Sequence, residues 1–530
     1  MTVSSPDVRT TQTEALPDAS DLEDKMPLWF RSSKLLVLFV SIGGILFLYF
    51  SYLSVDQTTV WGDLSYGELI WKTKSIPVTE PFMPLAEGMQ VTDNAWLSQL
   101  GLYHLYMWYR VPALQFFHAA CIAIVIGLLM GYSFFRSRNT TCTLAGLILF
   151  LWVSWQPLHS VQPQLVGLCC LMLLWGLLQS RKWKTGHYVS LFLLFVFWVN
   201  LHASFVIGLA IIAACCVGSF IDLLRRTDGF RSSFLGSRFR RYLSIFELAI
   251  LATLLNPYGL RIYSGVASMV QSDNLQDLLQ WNALTLRLPQ GQAVAFLSLL
   301  LVIVYRMTPR RISTIEVIQL IGLGAAALWM AHMTIWWAMV AAWYFMLHAS
   351  AVWNHSQSQH QEKEPAERKS LWTVMAMGIA FLLWAITPFG TSVLHGHQEK
   401  FDLKISRQTP RAAVEKLLDD RENGDLPVGQ IFNTHEWGDY IVWKSGKEIL
   451  PVFTASRVQA VPREVWQHYL QISNMGSDWF EMLDRYGVNV ILIDKQEHQN
   501  FGKALKREEE WGAPVYEDNV SLLFYRKKPL

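Results

Sequence analysis

Charge is scarce in this chain: only 16% of its 530 residues are charged against 52% hydrophobic, which excludes an ordinary large soluble protein. The formal net charge of +2 leaves no basic surplus for a nucleic-acid partner. Cysteine is sparse as well. All six, Cys121, Cys142, Cys169, Cys170, Cys215 and Cys216, lie in apolar runs, so neither a disulfide framework nor a zinc site is indicated. There is no glycine-rich phosphate loop, and hence no nucleotide is assigned. There is no internal repeat and no matched pair of Gly/Pro-broken helices, which makes a transporter the weakest of the readings weighed below. No small-residue cleavage pattern follows the first apolar run, which is therefore expected to stay in the protein as a helix.

What the chain does contain is apolar runs of membrane-crossing length. They fall near 35–53, 113–135, 141–158, 165–178, 187–200, 203–223, 242–255, 293–305, 314–331, 333–352 and 371–389. The expected fold class is an α-helical polytopic membrane protein of about eleven transmembrane helices with a C-terminal soluble α/β domain. Its parts would be a disordered polar tail over 1–25, a membrane domain over 26–390 with a long outer loop at 54–112, and a soluble domain over 400–530. Every second connection is basic: Arg31 and Lys34; Arg136 and Arg138; Arg181, Lys182 and Lys184; Arg225, Arg226, Arg231, Arg238, Arg240 and Arg241; Arg306, Arg310 and Arg311; Lys363, Arg368 and Lys369. By the positive-inside rule the N-terminus is cytoplasmic and the C-terminal domain extracytoplasmic.

The outer loop 54–112 is rich in Trp and Tyr, as expected of helices lying in the interface plane. A second outer connection, 256–292, opens Asn256-Pro-Tyr-Gly259. The linker Asn354–Ser370 reads as a solvated loop, in which His355 and His360 are polar residues rather than metal ligands. From about residue 400 short alternating segments take over. Strands are expected at Val428–Phe432, Ile449–Phe453, Val488–Ile493 and Leu522–Tyr525, with helices at Pro410–Leu418, from Glu436, at Pro462–Ile472, Trp479–Tyr486 and Asn500–Glu510.

Ionisable groups at the outer membrane face are the candidates for chemistry. They cluster in the first outer loop as Asp56, Asp63, Glu68, Glu80, Glu87 and Asp93. A carboxylate at the apolar edge of a cavity, its pKa raised by desolvation, can act as general base toward a hydroxyl. The plainer reading makes the same acids solvated loop residues or helix caps. Topology carries His159, Gln162, Gln164, Asn200, His202, Asn256, Tyr258 and Arg261 to the same side. For Asn200, Gln164 and Asn256, helix capping and interhelical hydrogen bonding is an equally good reading.

The order of segments carries a resemblance. Trp61-Gly-Asp-Leu-Ser-Tyr-Gly67, Ile76-Pro-Val-Thr-Glu-Pro-Phe82, Trp96-Leu-Ser-Gln, Gln162-Pro-Gln164, Asn200-Leu-His202 and Asn256-Pro-Tyr-Gly-Leu-Arg261 are followed by Phe432-Asn-Thr-His-Glu-Trp-Gly-Asp-Tyr440, Ser456-Arg457, Trp479 and Tyr486-Gly-Val-Asn-Val490. In that order they resemble bacterial cell-envelope membrane proteins related to the C-type glycosyltransferases. The resemblance implies a multi-pass protein of the inner (plasma) membrane that transfers a sugar from a polyprenyl-phosphate-linked donor to a lipid, glycan or protein acceptor. It implies a catalytic acid among Asp63, Asp56 and Asp93, and donor-phosphate contacts from Arg261, His202, Asn200, Gln164 and Tyr258. No cofactor is certain, and a divalent metal is compatible with the implied mechanism. The chain departs from the pattern at Gly62-Asp63, at Gln162 and near His332–Ile335, and two of those changes remove a cation. An alternative is therefore a non-catalytic relative whose outer domain binds a protein partner.

Overall fold

The computed structural model describes residues 24–55, 59–159, 161–180, 182–225, 236–357, 368–396, 405–406, 408–446 and 450–530. Residues 1–23 of the expected tail, most of the 354–370 linker, and Asp56, Arg181, Arg226, Arg231, His360, Lys363 and Ile449 lie outside the described residues.

Each apolar run coincides with a helix: Lys34–Ser51, the second half of Trp96–Ser137, Thr140–Val153, Gln164–Leu178, Thr185–Leu201, Phe205–Leu224, Ser237–Thr253, Pro289–Met307, Thr314–Trp329, Thr334–Gln357 and Ser370–Ala385. By length and composition, five helices among the described residues can cross a membrane, or six if Ser370–Ala385 and Pro388–His395, bent by 84°, make one span. The protein is thus a multi-pass membrane protein, but the expected eleven spans are not all met. The reason is length: Thr140–Val153, with 14 residues, rises only about 21 Å, short of a hydrocarbon core of about 30 Å.

Helix Thr334–Gln357 is apolar on every side and enclosed by its neighbours, whereas Lys34–Ser51 turns most of its surface outward. Close approach needs small residues. A Cβ on Gly167 would lie 2.1 Å from Ser204 Oγ, so glycine alone lets helix Gln164–Leu178 pack there.

Hydrogen bonds between helix ends sort into two sets. At one end Ser32 pairs with Lys369, Asn139 Nδ2 donates to Asn354 Oδ1 (3.2 Å), and Arg225 Nη1 donates to Thr314 Oγ1 (3.5 Å). At the other end Tyr49 Oη meets His159 Nε2 (3.1 Å), Gln115 Nε2 donates to the Leu53 carbonyl (2.6 Å), and Asn200 Nδ2 donates to the Leu255 carbonyl (2.9 Å). The first set joins the basic connections and the second the basic-poor ones.

The C-terminal part carries a four-stranded sheet of order β1-β2-β4-β3, with β1 Gln430–Asn433, β2 Val488–Asp494, β3 Tyr516–Glu517 and β4 Ser521–Tyr525. β1 and β2 are parallel, with Ile431 opposite Val490, and the other pairs are antiparallel. Val488–Ile493 is buried throughout, as a central strand covered on both faces requires. The strand expected at Ile449–Phe453 shrinks to one bridge from Val452 to Ile431, because Pro451 has no N–H to continue a ladder.

The outer loop is not a separate layer. Val60, Trp61, Leu64 and Tyr103 share one hydrophobic core with Tyr440, Val442, Leu450 and Phe453 of the C-terminal part. Helix Thr59–Thr73, expected in the interface plane, is enclosed by protein along the face of Trp61, Leu64, Ser65 and Tyr66, while Trp71 remains exposed.

Candidate functional site

Four segments converge where this shared core meets the membrane helices. Helix Thr59–Thr73 brings Gly62, Asp63 and Tyr66. A Cβ on Gly62 would stand 2.7 Å from Asp439 Oδ1, so this turn can seat against the C-terminal domain only with glycine. Asp93 precedes helix Trp96–Ser137, its Oδ1 accepting from Ala95 N at 3.1 Å. In the turn that begins at Asn256, Asn256 Oδ1 accepts from Tyr258 N (2.7 Å) and its Nδ2 donates to the Thr253 and Gly259 carbonyls (2.6 and 3.0 Å). Gly259, at φ +53°, closes the turn, and Tyr258 Oη then accepts from Asp93 N at 2.9 Å.

The fourth segment is Ser456-Arg457. Its following 3-10 turn, Val458–Ala460, is held by Asn274, whose Nδ2 donates to the Val458 and Val461 carbonyls, both at 2.8 Å. Arg457 Nη1 and Nη2 both reach Asp93 Oδ2 at 3.4 Å, and the guanidinium lies 3.5 Å from the Tyr66 ring centre. Tyr66 Oη donates a short hydrogen bond to Glu80. Gln99 Nε2 bridges the two loop aspartates, donating to Asp93 Oδ1 (3.2 Å) and Asp63 Oδ1 (3.4 Å). Ser456 Oγ donates a short bond to Asp439.

Asp63 and Arg457 line a cavity of about 200 Å³ with Gln162, Gln459, His332 and Trp281, the last two rings stacked 7° from parallel with centres 5.3 Å apart. Within it Asp63 is reachable by solvent yet walled in by protein. That burial, with the nearby Asp93 charge, raises its pKa from 3.8 to about 7 against the opposing pull of Arg457 and the Gln99 amide. Asp439 is raised to about 7 by burial first, the Ser456 hydrogen bond opposing. Burial works against the charge on Arg457, but Asp93, Tyr66, Asp63 and Glu80 outweigh it and hold the pKa above the ordinary arginine value.

The site residues expected from the sequence separate here. Asp63, Asp93 and Tyr258 come together; Asp56 lies outside the described residues. Asn200 ties helices, its Oδ1 accepting from Trp96 Nε1 (2.9 Å) and its Nδ2 serving the Val196 and Leu255 carbonyls. His202 Nδ1 accepts from Ser204 N at 3.1 Å. Gln164 is buried with its Nε2 unpartnered among the described residues. Arg261 is exposed at the start of helix Arg261–Val270 and is not among the cavity-lining residues. The sequence reading gave no role to Arg457, Gln99 or Asp439. A signal for the first was present: Arg457 is the one charged residue between Ile449 and Val461.

A divalent metal does not fit this donor set. Asp93 has both oxygens engaged, Oδ1 by Gln99 and Ala95, Oδ2 by Arg457. Among the described residues no three His, Cys, Asp or Glu side chains are grouped to hold a metal ion.

No family model and no curated protein matches the chain by sequence. Solved structures do match by shape. The oligosaccharyltransferase AglB of Archaeoglobus fulgidus, in complex with an inhibitory peptide and a dolichol-phosphate, superposes at TM-score 0.51 with 11% identity, over 87% of this chain and 69% of that one. The oligosaccharyltransferase of the same organism, tethered with an acceptor peptide containing the NVT sequon, gives 0.50 and 13% over 95% and 75%. The chain has the fold of the C-type glycosyltransferases. The resemblance carried by its segment order is borne out at that level. ArnT of Cupriavidus metallidurans, bound to undecaprenyl phosphate, also aligns, over 92% of this chain and 97% of that one at TM-score 0.46 and 11% identity.

Proposed function

We propose that the protein transfers a sugar from a polyprenyl-phosphate-linked donor to an acceptor hydroxyl or amide at the extracytoplasmic face of the plasma membrane, with its N-terminus in the cytoplasm. The carrying observation is Asp63, a carboxylate tuned to about 7 that lines a cavity beside a guanidinium. The fold supports the reading: AglB, which shares it, is named as binding a dolichol-phosphate and a peptide. Asp63 Oδ1 is engaged by Gln99, and Oδ2 has no hydrogen-bond partner among the described residues. That oxygen takes the acceptor proton; the acceptor atom attacks the anomeric carbon, and the bond from that carbon to the phosphate oxygen breaks, its electron pair leaving with the lipid phosphate. Asp93, saturated by Gln99, Ala95 and Arg457, positions the groups around it. A non-catalytic scaffold is less well supported, because Arg457 supplies a cation at the same cavity that Gln162 and His332 line, where the departures from the family pattern had removed one.

The test is turnover of a panel of undecaprenyl-phosphate-linked sugars by the purified protein in lipid nanodiscs. Asp63→Asn is expected to lower turnover by roughly 10²–10⁴-fold, the usual contribution of a general base. Equal turnover by wild type and Asp63→Asn removes Asp63 from the role, and no turnover of any lipid-linked sugar by the wild type removes the function.

A further inference from the structure

Resting on that reading of the site, we propose that Arg457, delivered by the C-terminal domain, is the phosphate-binding cation of the chamber, and that the loop carboxylates work with it in place of a divalent metal.

Four observations carry this. The first is saturation: Gln99 Nε2 sits between Asp63 Oδ1 and Asp93 Oδ1, and Arg457 covers Asp93 Oδ2, so the space a metal would need between the two aspartates is filled by N–H donors. The second is reach. Arg457 lines the same cavity as Asp63 and keeps 18% of its side chain exposed, although its charge is held by Asp93. The third is spare capacity. Among the described residues its hydrogen bonds are two long ones, 3.4 Å each, to a single oxygen, out of five N–H donors in the planar fork. A guanidinium with loose pairing and free donors is the group best suited to a tetrahedral phosphate. The fourth is support. Tyr66, fixed by Glu80, stacks under the guanidinium, and Asn274 clamps the backbone that follows it, so the fork is aimed before a ligand arrives.

In the transfer step Arg457 donates hydrogen bonds to the phosphate oxygen that receives the electron pair of the breaking bond, while the acceptor proton moves to Asp63. No atom or charge is left over, and no metal is required to neutralise the leaving group. The carboxylates in turn keep the arginine from being a general anion trap: with Asp93 charged, only a phosphate that meets the fork directly gains enough to displace the long contacts.

The experiment measures binding of undecaprenyl phosphate to the full-length protein in nanodiscs, with EDTA and with Mn²⁺, alongside Mn²⁺ binding by paramagnetic resonance. Wild type is expected to bind the lipid equally in both conditions and to show no Mn²⁺ site that Asp63→Asn abolishes. Arg457→Gln is expected to weaken lipid binding at least tenfold, about the loss of a charge-assisted pair, with Arg457→Lys recovering part. Arg457→Gln also unpairs Asp93 and is expected to gain Mn²⁺ affinity. The proposal is overturned if EDTA abolishes lipid binding, if wild type holds Mn²⁺ through Asp63, or if Arg457→Gln binds the lipid as wild type does. The wild-type arms decide even if Arg457→Gln fails to fold. Arg457-dependent lipid binding without turnover of any lipid-linked sugar sinks the transferase reading alone, and lipid binding indifferent to Arg457 sinks the cation alone.

Discussion

Asp63 is a cavity-lining carboxyl whose two oxygens have different lives, one tied to Gln99 and one without a hydrogen-bond partner among the described residues. With a pKa of about 7, its basic form accumulates above neutrality. The rate of transfer is therefore expected to rise with pH up to about 7 and then level off, and a pH profile of kcat/KM that is flat from 5 to 9 would contradict the assignment. The same shift has a stability consequence. The native state holds a proton on Asp63, and another on Asp439, over the interval from 3.8 to about 7 where the unfolded chain has released them. Stability at these groups thus falls as pH rises through that window. Asp439→Asn should accordingly raise the midpoint of thermal unfolding at pH 8 relative to wild type, and leave it unchanged near pH 3, as differential scanning would register. Gly62 gives a sharper steric test. Ala at this position places a methyl 2.7 Å from Asp439 Oδ1, so Gly62→Ala is expected to cost tenfold or more in turnover, and Asp439→Ala in the same chain to restore part of it. At this scale Asp63 and Asp93 were legible as candidates, because the acids of the membrane domain's outer side cluster in the first outer loop. Arg457 stood out only as a lone charge in an apolar stretch; its pairing with Asp93, across 364 positions of sequence, is announced by no local pattern.

Among the elements, helix Thr59–Thr73 does most to define the site, for it is gripped from two sides. Trp61 packs edge-on to Tyr440 and Tyr106 and stacks with Trp443, so the indole is the joint between the outer loop and the C-terminal domain. Its complete burial makes Trp61→Ala a cavity of full indole size, with a cost of about 3–5 kcal/mol by comparison with other buried aromatics. That loss should loosen the domain at its seat before it disturbs the membrane helices. Limited proteolysis is expected to release the segment after residue 405 faster in Trp61→Ala than in wild type, and an unchanged cleavage rate would show that the joint lies elsewhere. Hydropathy made the membrane helices readable, since an apolar run has one cheap destination. It misread the environment of this helix for a physical reason. Trp and Tyr suit a membrane interface and a packed domain seam equally well, and only the C-terminal core that covers them distinguishes the two.

For the whole molecule, the basic connections and the helix-end hydrogen bonds agree. The bonds that join Ser32 to Lys369 and Arg225 to Thr314 lie at the end where lysine and arginine collect, and the seat of the C-terminal domain adjoins the other end, where Val55 bridges to Ile405 directly after the first helix. Charge bias and packing thereby put Asp63 and Arg457 at the basic-poor end of the helices, the end that the proposed function requires to face away from the cytoplasm. The native cysteines help a direct test, because all six are free and buried or half-buried in the helices. A cysteine at exposed Lys503 is expected to react with a membrane-impermeant maleimide in intact cells, and one at exposed Lys182 only after the membrane is opened. The reverse pattern would put the chamber on the cytoplasmic side and, with it, require a donor presented from within; labelling of both in intact cells would mean that the chain does not hold a single orientation.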